Sequence, residues 1–196
     1  VVVLNPSVSS IKVRIPSDPN PSVTEYAIRA QFNSTTKYVQ IDTTLGDNPV
    51  WRTHSQWGGN LVGVTVKGLS SSTTYSFDAK ARNLDNIETP YGASGTATTK
   101  PTAPANLTID NVTSSSMRLN WTDNTPDETQ FYIYRTTVVE NGYVLIDSVP
   151  AANGGTVTYT GVGLTFSTHY FWGVSAHNSN GESQIVYADA TTKNID

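Results

Sequence analysis

The run Gly163-Leu164, followed by His169-Tyr170-Phe171-Trp172-Gly173-Val174-Ser175-Ala176-His177-Asn178, has a partner earlier in the chain. It is Gly68-Leu69, followed by Thr74-Tyr75-Ser76-Phe77-Asp78-Ala79-Lys80-Ala81-Arg82-Asn83. In each copy the Leu precedes the Tyr by six residues, and bulky or small apolar side chains then occupy every second position. That alternation is what a strand with one face on a core requires. Two such segments at matching offsets mark a duplicated unit, and the duplication decides how the rest of the chain is read.

Outward from this pair, further segments repeat. Ser9-Ser10-Ile11-Lys12-Val13-Arg14-Ile15 matches Ser115-Ser116-Met117-Arg118-Leu119-Asn120-Trp121, and Glu25-Tyr26-Ala27-Ile28-Arg29 matches Gln130-Phe131-Tyr132-Ile133-Tyr134. Ala97-Thr98-Thr99-Lys100 recurs as Ala190-Thr191-Thr192-Lys193. The boundary therefore falls near Lys100-Pro101, giving domains 1–100 and 101–196, each of a size that supports its own core. Pro101-Thr102-Ala103-Pro104 joins them, and two prolines restrict the backbone into a short, semi-rigid connector. The first copy starts almost on a strand and the second stops at the same Thr-Thr-Lys, so the chain is expected to be a piece of a longer array.

The first copy is expected to form strands at 1–4, 11–15, 25–32, 38–42, 61–66, 75–83 and 92–99. The second is expected to form them at 107–110, 117–122, 131–136, 143–148, 156–161, 170–177 and 185–192. Seven short strands per copy, separated by turn residues, predict an all-β chain of two tandem sandwiches.

Composition agrees and removes several function classes. Apolar residues make up 37% and charged residues 14%, with 14 Gly and 10 Pro spread among Ser, Thr and Asn, as in a turn-rich β protein. A net charge of −4 offers no field for a phosphate backbone or an anionic lipid surface, so neither nucleic acid nor membrane insertion is expected. The chain has no cysteine, which leaves no disulfide or thiolate metal site. Val1 to Leu4 lacks the basic flank and cleavage site of a signal peptide, and no apolar run reaches the length of a spanning helix. Asn-x-Ser/Thr triplets at Asn33, Asn106, Asn111 and Asn120 are common in chains rich in Asn and Thr.

Both copies resemble fibronectin type III domains across essentially the whole chain, which implies two seven-stranded immunoglobulin-like sandwiches. The Leu69 to Tyr75 and Leu164 to Tyr170 segments look like that family's corner between its fifth and sixth strands, where a Tyr hydroxyl bonds to upstream backbone. Trp121 stands where the family places a core tryptophan, while the first copy has Ile15 there. The stretch from Trp121 through Asp127-Glu128 to Arg135 is similar to versions found in secreted bacterial proteins, including polysaccharide-degrading enzymes and adhesins. The resemblance implies an extracellular or cell-surface spacer or interaction module, with neighbouring domains or a protein as partner. Two alternatives stand beside it: a carbohydrate-binding accessory of a polysaccharide-degrading enzyme, and a subunit of a surface fibre or layer that pairs through an edge strand such as Val1 to Leu4. No Arg in the chain is followed by Gly-Asp, so integrin binding by that tripeptide is excluded.

Motifs that carry chemistry are sparse. His54, His169 and His177 lack the spacing of a metal or catalytic set, and no nucleophile elbow, phosphate loop or zincin motif occurs. No cofactor and no catalytic residue is expected. Asp123, Asp127 and Glu128 share a loop and carry oxygen ligands of the kind Ca²⁺ takes, but capping of turn backbone explains them with fewer assumptions. Thr43 to Gly59 is the long loop of the first copy and carries Trp51, His54 and Trp57. These are the candidate ligand-binding residues, because indole rings stack on sugar faces and long loops on rigid scaffolds hold function. Loop aromatics pack on their own domain more often than they bind a ligand, and the same two tryptophans are placed to cover a core that lacks the usual ring at Ile15.

Overall fold

The computed structural model describes residues 1–16, 19–152 and 154–195, which fall into two compact units, Val1–Lys100 and Pro101–Asp196. The first unit contains β1 (Val2–Leu4), β2 (Ser10–Arg14), β3 (Glu25–Phe32), β4 (Thr35–Val39), β5 (Leu45–Gly46), β6 (Arg52–Thr53), β7 (Val64–Lys67), β8 (Thr74–Arg82) and β9 (Gly95–Thr98). One sheet runs β1-β2-β7 and the facing one β5-β4-β3-β8-β9, with β6 added to β3. The second unit contains β10 (Ala105–Asp110), β11 (Ser116–Asp123), β12 (Gln130–Thr136), β13 (Val144–Pro150), β14 (Gly155–Val162), β15 (His169–Asn178), β16 (Gly181–Glu182) and β17 (Val186–Thr191). Its sheets are β10-β11-β14 and β13-β12-β15-β16, with β17 pairing with β15 along the same edge as β16. Every pairing among these strands is antiparallel, and each unit is the sandwich that the alternating pattern predicts.

Each pair of sheets closes over one core. In the first unit Ile11, Val13, Ile28, Phe77 and Tyr75 meet; in the second Met117, Leu119, Trp121, Phe131, Ile133 and Trp172 do. Trp172 approaches β14 so closely that a Cβ on Gly161 would lie 2.2 Å from its ring, which leaves glycine as the residue that fits.

The duplicated corner has the same hydrogen bonds in both units. The Tyr75 hydroxyl accepts the Ser70 N–H at 2.9 Å, and the Tyr170 hydroxyl accepts the Thr165 N–H at 3.0 Å. Leu69 and Leu164 are buried beneath these turns. The second Thr of each Thr-Thr-Lys completes the clamp: Thr99 Oγ1 accepts from Thr73 N–H and donates to Ser70 O, while Thr192 Oγ1 accepts from Thr168 N–H and donates to Thr165 O. The repeat of that tripeptide thus reflects a turn lock.

Strand limits differ from the sequence reading where turn chemistry intervenes. The strand expected at 38–42 lies at Thr35–Val39, because Asn33 and Ser34 both adopt positive φ and form a two-residue hairpin turn that starts β4 earlier. The strand expected at 61–66 begins only at Val64; Leu61 and Val62 are exposed in a loop that Gly63 ends with φ +69°. Residues 88–92 bond to β8 through Thr89 and Gly92 N–H without the regular ladder, so β9 starts at Gly95. β5, β6 and β16, of two residues each, carried no periodic signal.

Candidate functional site

The long loop of the first unit separates its three candidate residues. β6 pairs antiparallel with β3, Arg52 opposite Tyr26 and Thr53 opposite Glu25, and this short ladder sets which way each neighbour points. Trp57, after a turn in which its N–H bonds to Thr53 O, enters the core and is 2% exposed. Its indole N–H donates to Tyr26 O at 2.8 Å. Gly58 follows with φ +85°, where a Cβ would stand 2.3 Å from Gly63 O, so the loop closes on itself there. A buried ring offers no face to a ligand: Trp57 supplies the core indole that the first unit lacks at Ile15.

His54 also turns inward. Its Nε2 lies 3.0 Å from Ile15 O, and its ring stands edge-on to Tyr26. Trp51, half-buried, goes the other way, onto the outer face of the β3/β8 sheet. There the Arg82 guanidinium sits 4.5 Å from the ring centre and Lys80 Nζ 5.4 Å from it. The structure therefore does not bring Trp51, His54 and Trp57 together; it groups Trp51 with residues from strands far away in sequence.

The β3/β8 register explains that grouping. Glu25 faces Arg82, Ala27 faces Lys80 and Arg29 faces Asp78, all on the outward side of the sheet. Arg82 Nε and Nη2 bond to Glu25 Oε2 at 2.7 and 2.6 Å, Lys80 pairs with Glu88, and Arg29 grips Asp78 with two bonds of 2.9 and 2.6 Å. The Asp78 hydrogen bond holds the Arg29 guanidinium firmly in its charged form. Tyr91 lies against Arg29, whose Cζ is 3.5 Å from its ring centre, and Lys80 Nζ is 5.3 Å away. Burial, then a hydrogen bond with Tyr38, pushes the Tyr91 phenol up to about 12.

The result is two aromatic rings, Trp51 and Tyr91, seated on cations that are each neutralised by a carboxylate, with Tyr38 hydrogen-bonded to Tyr91. Cation–π contact of this kind draws the cation to the face of the ring. Of these rings, the sequence pointed to Trp51 alone. The signal for the others was present in Glu25, Arg29, Asp78, Lys80 and Arg82, charged residues at alternate positions of two strands whose other faces are apolar.

In the second unit the acidic loop is a turn lock. Asp123 accepts N–H bonds from Gly154 at 3.0 Å, Ala152 at 3.3 Å and Thr125 at 3.4 Å, and Glu128 accepts the Thr125 hydroxyl at 3.0 Å. Burial pushes the Glu128 carboxyl up, the Asp123 and Asp127 carboxyls add to this, and it reaches about 8. Burial opposes ionisation of Asp123 as well, yet its hydrogen bonds with Glu128 and the loop amides outweigh that and hold it below the usual range. Among the described residues, no three or more His, Asp or Glu side chains are grouped to hold a metal ion. His169 lies between Thr191 and Asp189 on the surface, and His177 stacks on Tyr132.

Comparison with known proteins places these features in context. The fibronectin type III domain family matches residues 102–189. Chitinase A1 of Niallia circulans is 34% identical over 128 residues, covering 60% of this chain and 17% of the chitinase. Exoglucanase B of Cellulomonas fimi is 30% identical over 175 residues, covering 87% of this chain and 14% of the exoglucanase. The chain thus spans less than a fifth of either relative. A solved segment of two fibronectin type III domains from chicken tenascin covers 97% of this chain, and 96% of that segment is matched, with a TM-score of 0.52 at 13% identity.

Proposed function

Residues 102–189 belong to the fibronectin type III family, and on that premise we propose that the chain is a non-catalytic spacer and interaction module of a longer extracellular bacterial protein. The observation that carries this reading is the pattern of the exoglucanase match, in which nearly all of this chain aligns with a small fraction of a much larger enzyme. The polar side chains support it, since the buried acids and the corner hydroxyls are spent on holding turns. The Pro101 to Pro104 connector then acts as a stiff joint. Small-angle scattering checks the joint: replacing Pro101 and Pro104 by Gly is expected to broaden the distribution of particle dimensions. A wild type as broad as that variant, or specific turnover of chitin, cellulose or peptide by the chain, would sink the proposal.

A second reading is favoured by one specific feature, the rings of Trp51 and Tyr91 seated on cations on the outer face of the first unit. Rings held on a neutralised surface suit the apolar faces of a neutral polysaccharide, with the part-exposed Glu25 and Arg82 beside them to bond hydroxyls. Depletion assays on insoluble chitin and cellulose test it. Retention that disappears in W51A and Y91A, both folded, is the expected result; no retention of the wild type rejects this reading and leaves the spacer intact.

A further inference from the structure

Most strand edges in the two sandwiches are closed within their own unit. β1, the edge that the sequence suggested for pairing with other chains, bonds to β2 and lies along β9. The Val1 amino group donates to Ala93 O at 2.9 Å, and a Cβ on Gly95 would come within 2.6 Å of the Val3 side chain. β10 runs beside β17 in the same way. On the opposite side of the first unit, the Lys67 N–H at the end of β7 donates to Thr43 O at 2.9 Å, and two-residue β5 covers β4.

β13 differs. It ends its sheet, and among the described residues no strand pairs with its outer edge. Val144, Leu145 and Ile146 are 63%, 49% and 36% exposed, Asp147 is its only charge, and its only proline is the last residue, Pro150. Natural edges avoid pairing through lysines, prolines and bulges. This one has neither lysine nor an early proline, and its single bulge falls between the Ile133–Asp147 and Tyr134–Leu145 pairs, leaving Val144-Leu145 beyond it. The neighbouring surface is aromatic, where the Tyr143 and Tyr187 rings meet at a tilt of 46° with centroids 4.8 Å apart. By contrast β14, the nearest edge of the facing sheet, exposes Thr156, Thr158 and Thr160.

We propose that β13 is a self-association edge, on which β13 of a second copy of this chain pairs antiparallel about a two-fold axis near Leu145. A row of unpaired backbone donors and acceptors is complementary to another extended strand. An identical strand in the antiparallel sense sets apolar residues against apolar residues and holds the two Asp147 carboxylates apart, one on each side of the axis. It also consumes the β13 edge of both copies at once, so assembly through this edge closes at a dimer. This is a different outcome from a fibre built through β1, which would stay open.

Sedimentation of the intact chain over a range of concentrations tests the proposal. The wild type is expected to show a monomer–dimer equilibrium. L145K, which brings like charges together at an exposed position, weakens it by about tenfold or more, while L61K in the first unit leaves it unchanged. Because the chain has no cysteine, L145C serves as a second probe: under oxidation it is expected to form a disulfide-linked dimer, and L61C not to. A wild type monomeric at every concentration overturns the proposal, as do association insensitive to L145K, growth beyond dimers, and a dimer in which L145C fails to crosslink.

Discussion

The Trp57 indole N–H donates to the Tyr26 carbonyl oxygen at 2.8 Å, tying the long loop of the first unit to β3 from within the core. Truncating a buried indole removes its packing and leaves a cavity, so W57A is expected to lose about 3–5 kcal/mol of stability. W51A, on the outer face, is expected to change stability by less than about 1 kcal/mol. Denaturant unfolding of the two variants checks the contrast; equal losses would show that the loop is not divided between core and surface.

The corner phenols predict a smaller, duplicated effect. Y75F and Y170F keep the ring and remove the acceptor for Ser70 or Thr165 N–H, at a cost of about 1–3 kcal/mol each when the donor is left without a partner. Because Thr192 grips the same turn as Tyr170, Y170F combined with T192V is expected to be non-additive. A double-mutant cycle followed by chemical unfolding measures the coupling.

Glu128 gives the second unit a pH dependence of defined sign. Its carboxyl titrates at about 8 when folded, and at about 4.3 in an unfolded chain. Between those values the folded state holds a proton that the unfolded state has lost, so this group's stabilisation is complete below the lower value and is lost as pH rises through the upper one. The slope approaches about 1.4 kcal/mol per pH unit for one proton. Asp123, held below its usual range, works in the opposite sense: its stabilisation is present above the usual carboxylate range and is lost as pH falls through its folded value. E128Q, which mimics the protonated acid, is expected to flatten the decline between about pH 5 and about pH 8 in unfolding curves.

Gly161 carries the last prediction. Its missing Cβ makes room for the buried Trp172 ring, so G161A is expected to cost about 1–3 kcal/mol by forcing that ring or β14 to shift. Unfolding followed by tryptophan fluorescence reads both the loss of stability and the changed ring environment. An unaltered midpoint would mean that the sheets separate more easily than this packing implies.

Much of this molecule is written locally. The duplication, the alternation along β2, β8, β11 and β15, and the Leu-to-Tyr spacing of the corner follow from period-two burial and fixed turn geometry, which neighbouring residues specify. The short strands β5, β6 and β16 left no trace, because two residues cannot display a period. The start of β4 shifted because Asn33 and Ser34 accept positive φ, a choice that strand periodicity does not encode.

What lay beyond the sequence was the destination of each side chain that local pattern leaves free. Trp51 and Trp57 are six positions apart in one loop, yet one ring is 2% exposed inside the core and the other rests on Arg82 from another strand. Strand-to-strand register decides which of them meets the empty space beside Ile15, and register is a property of the assembled sheets. The open edge at β13 is likewise invisible in its own residues. Its exposure depends on which other strand fails to arrive beside it, and that is settled only when the whole sandwich closes.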